Sequence, residues 1–145
     1  MFLLAADVGT GVKKPPRHTL KIDAIDHVVL TVQDVQTTSH FYQQVLGMRV
    51  VHFERCRTAL KFGTQKINLH KAGNEFAPKA SRPTRGSADI CLITSERLPD
   101  WEQHLKKCGV TVIEGPIWQT GARGVMQSIY LRDPDGNLIE ISKYE

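Results

Sequence analysis

The sequence predicts an α+β fold built from one unit used twice, and three observations carry that expectation. Asp26-His27-Val28-Val29-Leu30-Thr31-Val32 and Ala88-Asp89-Ile90-Cys91-Leu92-Ile93-Thr94 are Val- or Leu/Ile-rich stretches whose first inward position, His27 or Asp89, is a residue type able to bind a metal. Each leads into an amphipathic segment that stops at a glycine, and the spacing repeats: Gly47 stands 20 positions after His27, and Gly109 stands 20 after Asp89. Each half then closes on a strand with a second polar candidate, Asn68 or Glu140. A repeat of about 50–60 residues cannot close its own core, so the halves must pair, and a pocket is expected where paired units meet.

Residues 1–20 lack periodicity, carry Gly9, Gly11, Pro15 and Pro16, and read as a flexible leader outside the fold. Its apolar start, Met1 to Ala6, has no basic residue before it and is interrupted by Asp7, so no signal peptide is expected. Ile22 to Val32 alternates and is rich in β-branched residues, which predicts a strand. Asp34 suits the N-cap of a helix in which Phe41 pairs with Val45 and Tyr42 with Leu46 at i, i+4 spacing, and Gly47 ends it. Arg49 to Arg55, Thr58 to Phe62 and Lys66 to Lys71 read as three short strands. Asn74 to Arg85, with Pro78, Pro83 and several basic residues, reads as a linker.

The pattern then recurs. Ser87 to Thr94 is a strand, Pro99 opens a helix in which Trp101 faces Leu105, and Gly109 closes it. Strands are expected over Val110 to Glu114, Met126 to Arg132 and Asn137 to Lys143. Gly115 to Gly124 reads as a glycine-containing loop, and Asp133-Pro134-Asp135-Gly136 as a tight turn. The expected organisation is a single domain over 21–145, with module one over 22–73, a linker over 74–86 and module two over 87–145.

Strand alternation sorts the polar residues onto one side. Ile139 and Ile141 share a face, and Leu138, Glu140 and Ser142 share the other; Ile67 and Leu69 are set against Lys66, Asn68 and His70. His27, Val29 and Thr31 oppose Val28, Leu30 and Val32, and Asp89 and Cys91 oppose Ile90 and Leu92. The apolar sets are expected under the helices, which leaves His27, Asn68, His70, Asp89 and Glu140 to line something concave. A carboxylate between two isoleucines, as at Glu140, is costly to bury unless it is paired or bound to a cation. His27, Asp89, Glu140 and either Asn68 or His70 supply one nitrogen and several oxygens, a set that suits Mn²⁺, Mg²⁺ or Ni²⁺ with open water positions better than a structural zinc. Ser128 and Tyr130, on the parity opposite Ile129 and Leu131, are candidates to hydrogen-bond a substrate.

Composition narrows the function. The apolar fraction of 41% and charged fraction of 23% are those of an ordinary soluble globular chain, and no apolar run is long enough to span a membrane. The net charge of +4 comes from scattered residues without a basic stripe or aromatic platform, so nucleic acid is not the expected partner; a mild attraction for anionic small molecules is. Cys56, Cys91 and Cys108 are odd in number and form no C-x-x-C pair, which argues against a disulfide framework and for a reducing cytoplasm.

His27-Val28-Val29-Leu30, the run from Phe41-Tyr42 through Val45-Leu46-Gly47-Met48, and Leu131 to Glu140 resemble the vicinal oxygen chelate superfamily, the glyoxalase I, bleomycin-resistance, fosfomycin-resistance and extradiol dioxygenase group. The resemblance covers 22–145. It implies two βαβββ modules in a cupped mixed sheet, usually a homodimer, and a divalent metal (Mn, Ni, Mg or Zn) bound by four strand positions. His27 falls on the first metal position and Glu140 on the last, and both match. Asn68 falls where glyoxalase I carries Glu or Gln, with His70 as a possible substitute, and Asp89 falls where most members carry His. These departures leave Glu140 as the single base for a glyoxalase I-like lyase or isomerase. Two alternatives stay open: a fosfomycin-resistance-like thiol transferase holding an anion with Ser128, Tyr130 and Arg123 or Lys66, and a non-catalytic binding protein of the bleomycin-resistance type.

Overall fold

The computed structural model describes residues 20–145, so the leader expected over residues 1–20 lies outside the described residues except for Leu20. The elements run β1 (His27–Val32), α1 (Val35–Leu46), β2 (Arg49–Phe53), β3 (Arg57–Phe62) and β4 (Gln65–Lys71), then β5 (Asp89–Ile93), α2 (Leu98–Lys107), β6 (Glu114–Gly121), β7 (Gly124–Arg132) and β8 (Leu138–Tyr144). They form two four-stranded mixed sheets with the same internal order, β1-β4-β3-β2 and β5-β8-β7-β6. In each the first and last strands of the module pair in parallel, and the other neighbours are antiparallel. The duplication read from the sequence is therefore a duplication of topology.

Local chemistry sets the ends of α1. The Asp34 carboxylate caps the helix by accepting from the Thr37 amide at 2.7 Å, and this bond holds its carboxyl below the usual range. At the other end Gly47 takes φ +68°, and the Met48 amide reaches the Tyr42 carbonyl at 3.1 Å. Helix α2 has no side-chain cap; a proline in its first turn removes an amide that would need a partner, and Asp100 in the first turn with Lys106 and Lys107 in the last complements the helix dipole.

Two expectations need correcting. The first strand starts at His27, not Ile22: β4 begins at Gln65, so no strand lies opposite the upstream residues, and Ile22 and Ile25 are exposed. The loop expected over Gly115 to Gly124 is instead strand β6 and a tight hairpin turn, while Val110 to Ile113 forms no strand. Ile117, Gln119 and Gly121 pair across to Ser128, Met126 and Gly124, with a register shift between Glu114 and Ile117 where Pro116 lacks an amide to donate. At Gly115 the chain passes so close to β7 that a Cβ would collide with the Ser128 carbonyl oxygen.

The helix-side apolar residues of both sheets merge into one core: Leu30, Leu60 and Ile67 of module one join Ile129, Leu131 and Ile139 of module two. The turn between β7 and β8 locks this arrangement. Tyr42, fully buried on α1, donates to Asp133 Oδ2 at 2.9 Å, and Asn137 Nδ2 donates to the same oxygen at 2.8 Å. Asp135 Oδ1 accepts from the Gln33 amide at 2.9 Å and from Arg85 Nε at 2.8 Å, and Asn137 Oδ1 accepts from the Ala88 amide at 2.9 Å. The turn thus ties together the entry to α1, the linker and the entry to β5. Gly86, at φ +68°, is required there because a Cβ would fall 2.5 Å from the Asp135 carbonyl oxygen. Burial and the Asp133 carboxylate push the Tyr42 phenol far above its ordinary range, so it stays a donor. Among the described residues no helix is long and apolar enough to cross a membrane.

Tyr42→Phe, which keeps the packing and removes one donor from a buried carboxylate, should cost about 1–3 kcal/mol. Urea unfolding should show a lower midpoint at unchanged slope; an unshifted midpoint would contradict the role given to this bond.

Candidate functional site

With the helix-side faces joined in one core, the opposite face of each sheet lies outside it, and these faces carry the candidate residues. On sheet one the register lines up three rows. His27 sits beside Lys66, which faces Lys61, which faces Arg49; Val29 sits beside Asn68, opposite Ala59; Thr31 sits beside His70, at the Arg57 end of β3. On sheet two Glu140 lies between Cys91 of β5 and Tyr130 of β7, and Ser142 faces Ser128.

The His27 ring is fixed by its neighbour. Nδ1 lies 2.7 Å from Asp26 Oδ2, which leaves Nε2 free, and the same bond holds the Asp26 carboxyl below its usual range. A carboxylate behind an imidazole in this way orients it as a metal ligand. Asn68 Oδ1 is buried and has no hydrogen-bond partner. An orphaned carbonyl oxygen on the face that carries His27 is the kind of donor a hard cation takes, so these two residues fit a divalent ion. His70 is buried beside Phe76, with ring centroids 5.4 Å apart; burial first and the Arg57 charge second push its pKa down and keep it neutral.

Glu140 belongs to a chain of polar contacts. Ser142 Oγ donates to Glu140 Oε1 at 3.0 Å and lies 2.7 Å from Ser128 Oγ, and the Cys91 thiol donates to Ser142 Oγ at 3.3 Å. Gln119 Nε2 donates to Tyr130 Oη at 3.0 Å, and burial together with Glu140 pushes the Tyr130 phenol up. Ser128 is fully buried, so it braces Ser142 and does not face a ligand directly. Asp89 is exposed at the start of β5. Arg123 lies at the β6–β7 turn with its guanidinium 4.3 Å over the Tyr144 ring, beyond Ser142 on the strand that carries Glu140.

The sequence-derived set therefore falls into two pairs, His27 with Asn68 and Asp89 with Glu140. Among the described residues of one chain no three His, Cys, Asp or Glu side chains gather closely enough to hold a metal. Gln119 and Asp26 were not among the candidates. Gln119 lay in the segment read as a loop, whereas Asp26 stands next to His27 and adjacency alone was the available signal.

Two copies of a βαβββ unit in mixed sheets, each presenting a polar face with metal-type donors, define a paired-module fold of the vicinal oxygen chelate kind. Residues 24–141 match the Glyoxalase/Bleomycin resistance protein/Dioxygenase superfamily, and the chain belongs to it. It is 58% identical over 123 residues to virulence protein STM3117 of Salmonella typhimurium, covering 85% of each chain. It is 49% identical over 126 residues to glyoxalase domain-containing protein RDO1 of Mycosarcoma maydis, covering 87% of this chain and 71% of that one. An integron cassette protein from V. cholerae has the same fold, with TM-score 0.86 and 55% identity over 88% of this chain and 100% of that chain.

Burial, with the carboxylates of Glu140 and Asp89 nearby, holds the Cys91 thiol above its usual pKa, against the bond to Ser142. With Cys56 and Cys108 changed to Ser, iodoacetamide labelling of Cys91 should switch on above the pH of a free thiol, about 8.5. Glu140→Gln should shift that midpoint down. A midpoint below that of a free thiol would contradict the geometry.

Proposed function

We propose that the chain is a metal-dependent lyase or isomerase of the glyoxalase I kind, acting on a small oxygen-bearing substrate with Glu140 as base. The observation that carries this reading is the division of donors: oriented His27 Nε2 and orphaned Asn68 Oδ1 on one sheet, Asp89 and Glu140 on the other. Since the two faces lie outside a shared core, the complete site needs two chains, and the protein acts as a homodimer. Unpaired sheet edges support this. β1 and β5 each end a sheet, and their side chains Val29 and Ile93 are 46% and 51% exposed.

In the proposed dimer His27 and Asn68 of one chain, with the partner's Asp89 and the partner's Glu140, would hold a divalent ion. The chemistry an ion would supply there is Lewis-acid polarisation of a substrate carbonyl oxygen. Glu140 would take the proton from the adjacent carbon, with the Ser142 hydroxyl bonded to its Oε1 holding the carboxylate in place. Tyr130, kept as a phenol by its raised pKa, stands opposite Glu140 to donate to a substrate oxygen. With an amide at Asn68 there is no second carboxylate across the site, so proton transfer uses one base at both ends of the step. Glyoxalase 1 of Caenorhabditis briggsae, 27% identical over 135 residues and spanned by this chain over 47% of its length, supports chemistry of this class, whereas metallothiol transferase FosB of Staphylococcus epidermidis, 26% identical over 122 residues, supports the thiol-transferase alternative. The three cysteines are free, which suits the cytoplasm, where we place the protein.

Elemental analysis of purified protein should find a stoichiometric divalent ion that His27→Ala loses, and Glu140→Gln should abolish turnover while the melting curve stays cooperative. Wild-type protein without bound metal, and with no thermal shift across Mn²⁺, Ni²⁺, Mg²⁺ and Zn²⁺, would overturn the proposal.

A further inference from the structure

Sheet one carries an arrangement that neither folding nor metal binding accounts for. The cross-strand register puts Lys66 opposite Lys61 and Lys61 opposite Arg49, so three cations follow one another across β4, β3 and β2, with His27 completing the row on β1. Directly opposed side chains of an antiparallel pair have Cβ atoms about 5 Å apart, and like charges there are destabilising. Ordinary sheets place an acid in such a row. Here the face holds no carboxylate: its other members are Val29, Thr31, Asn68 and His70 on β1 and β4 and Val51, Phe53, Arg57 and Ala59 on β2 and β3. The nearest acid, Asp26, stands at the rim, bonded to His27, and its carboxylate feels the charges of Lys66 and Lys61 from there without forming an ion pair with either. Among the described residues Arg49, Arg57, Lys61 and Lys66 enter no salt bridge.

Three further features mark this face as waiting for a ligand. The Lys66 ammonium is held 4.4 Å over the Phe53 ring, so it stays over the face. Arg57 Nε and Asn68 Oδ1 are the two buried side-chain polar atoms without a hydrogen-bond partner among the described residues; both belong to residues of this face, next to the cation row, and the Arg57 guanidinium lies 4.6 Å over the Phe76 ring. A cavity of about 450 Å³ lies along the row, lined by Arg49, Lys61, Lys66, Phe53 and Val51 and rimmed by Asp26.

We propose that Arg49, Lys61 and Lys66 form an anion-binding wall that holds the carboxylate or phosphate group of a small-molecule ligand. An anion on this row offsets the mutual repulsion of three cations and lies beside His27, so the same molecule can present a second oxygen at the His27–Asn68 end. The inference deepens the functional reading and rests on it for the view that this face is substrate-side: it makes the substrate an anion anchored by module one and acted on by the Glu140 of module two.

The test is calorimetric titration of the purified, metal-analysed protein with inorganic phosphate and, separately, with succinate, comparing wild type with Lys61→Gln/Lys66→Gln and with a Lys106→Gln/Lys107→Gln control on α2. Wild type and control should bind at least one of the two anions saturably and more weakly as salt is raised. The Lys61/Lys66 variant should lose about ten- to a hundredfold in affinity, and without anion it should melt no lower than wild type because repulsion has been relieved. The inference is overturned if neither anion binds the wild type, if the variant binds equally well, or if the variant melts lower. It is also overturned if the variant dissociates the dimer, which would assign the row to partner carboxylates. Absent anion binding in metal-replete protein defeats this inference alone, whereas absent metal with intact anion binding defeats the catalytic reading alone.

Discussion

The structure depends on the burial of Tyr42 against the turn between β7 and β8. Its hydroxyl meets Asp133 inside the protein, where an unmatched carboxylate would be costly, so helix α1 of module one is committed to the back of module two. The helix-side apolar residues of both sheets then close one core. Everything about the candidate site follows from that commitment. Because the two backs are joined, the two polar faces are outside, and donors that the duplication places in equivalent positions lie apart within one chain.

The two faces differ in charge as well as position. Module one presents Arg49, Arg57, Lys61 and Lys66, while module two presents Asp89, Glu114 and Glu140 together with Arg132. In the proposed dimer a basic wall of one chain would face a net acidic wall of the other, and a metal would be held at the boundary between them. This division suits a reaction in which an anionic substrate is anchored on one side and deprotonated on the other. Net charge conceals it, since +4 over the chain says nothing of how the sign is distributed between two surfaces.

Much of the fold was legible because it rests on local rules. The Asp34 cap, the Gly47 stop and the two-residue alternation of β1, β4 and β8 placed helices, strands and faces, and the α+β fold of two βαβββ modules emerged as expected. Strand β6 was not legible: Gly115, Pro116, Trp118 and Gly121 break the apolar alternation, and only pairing with β7 makes the segment a strand. The Asp133-Pro134-Asp135-Gly136 turn could be read as a turn, but its partners Tyr42, Gln33 and Arg85 come from far upstream. The cation row was hidden for a related reason. Arg49, Lys61 and Lys66 are scattered in sequence and become neighbours only once cross-strand register is known.

The central claim, that one site draws on module one of one chain and module two of another, is tested most directly by mixing two inactive variants. His27→Ala and Glu140→Gln chains, each without activity or without stoichiometric metal alone, are unfolded together and refolded. A mixed dimer then contains one site with every original residue and one site lacking both, so metal binding and turnover should reappear on mixing. If the site is instead built within a single chain, each chain keeps its own lesion and mixing restores nothing; that result would contradict the account.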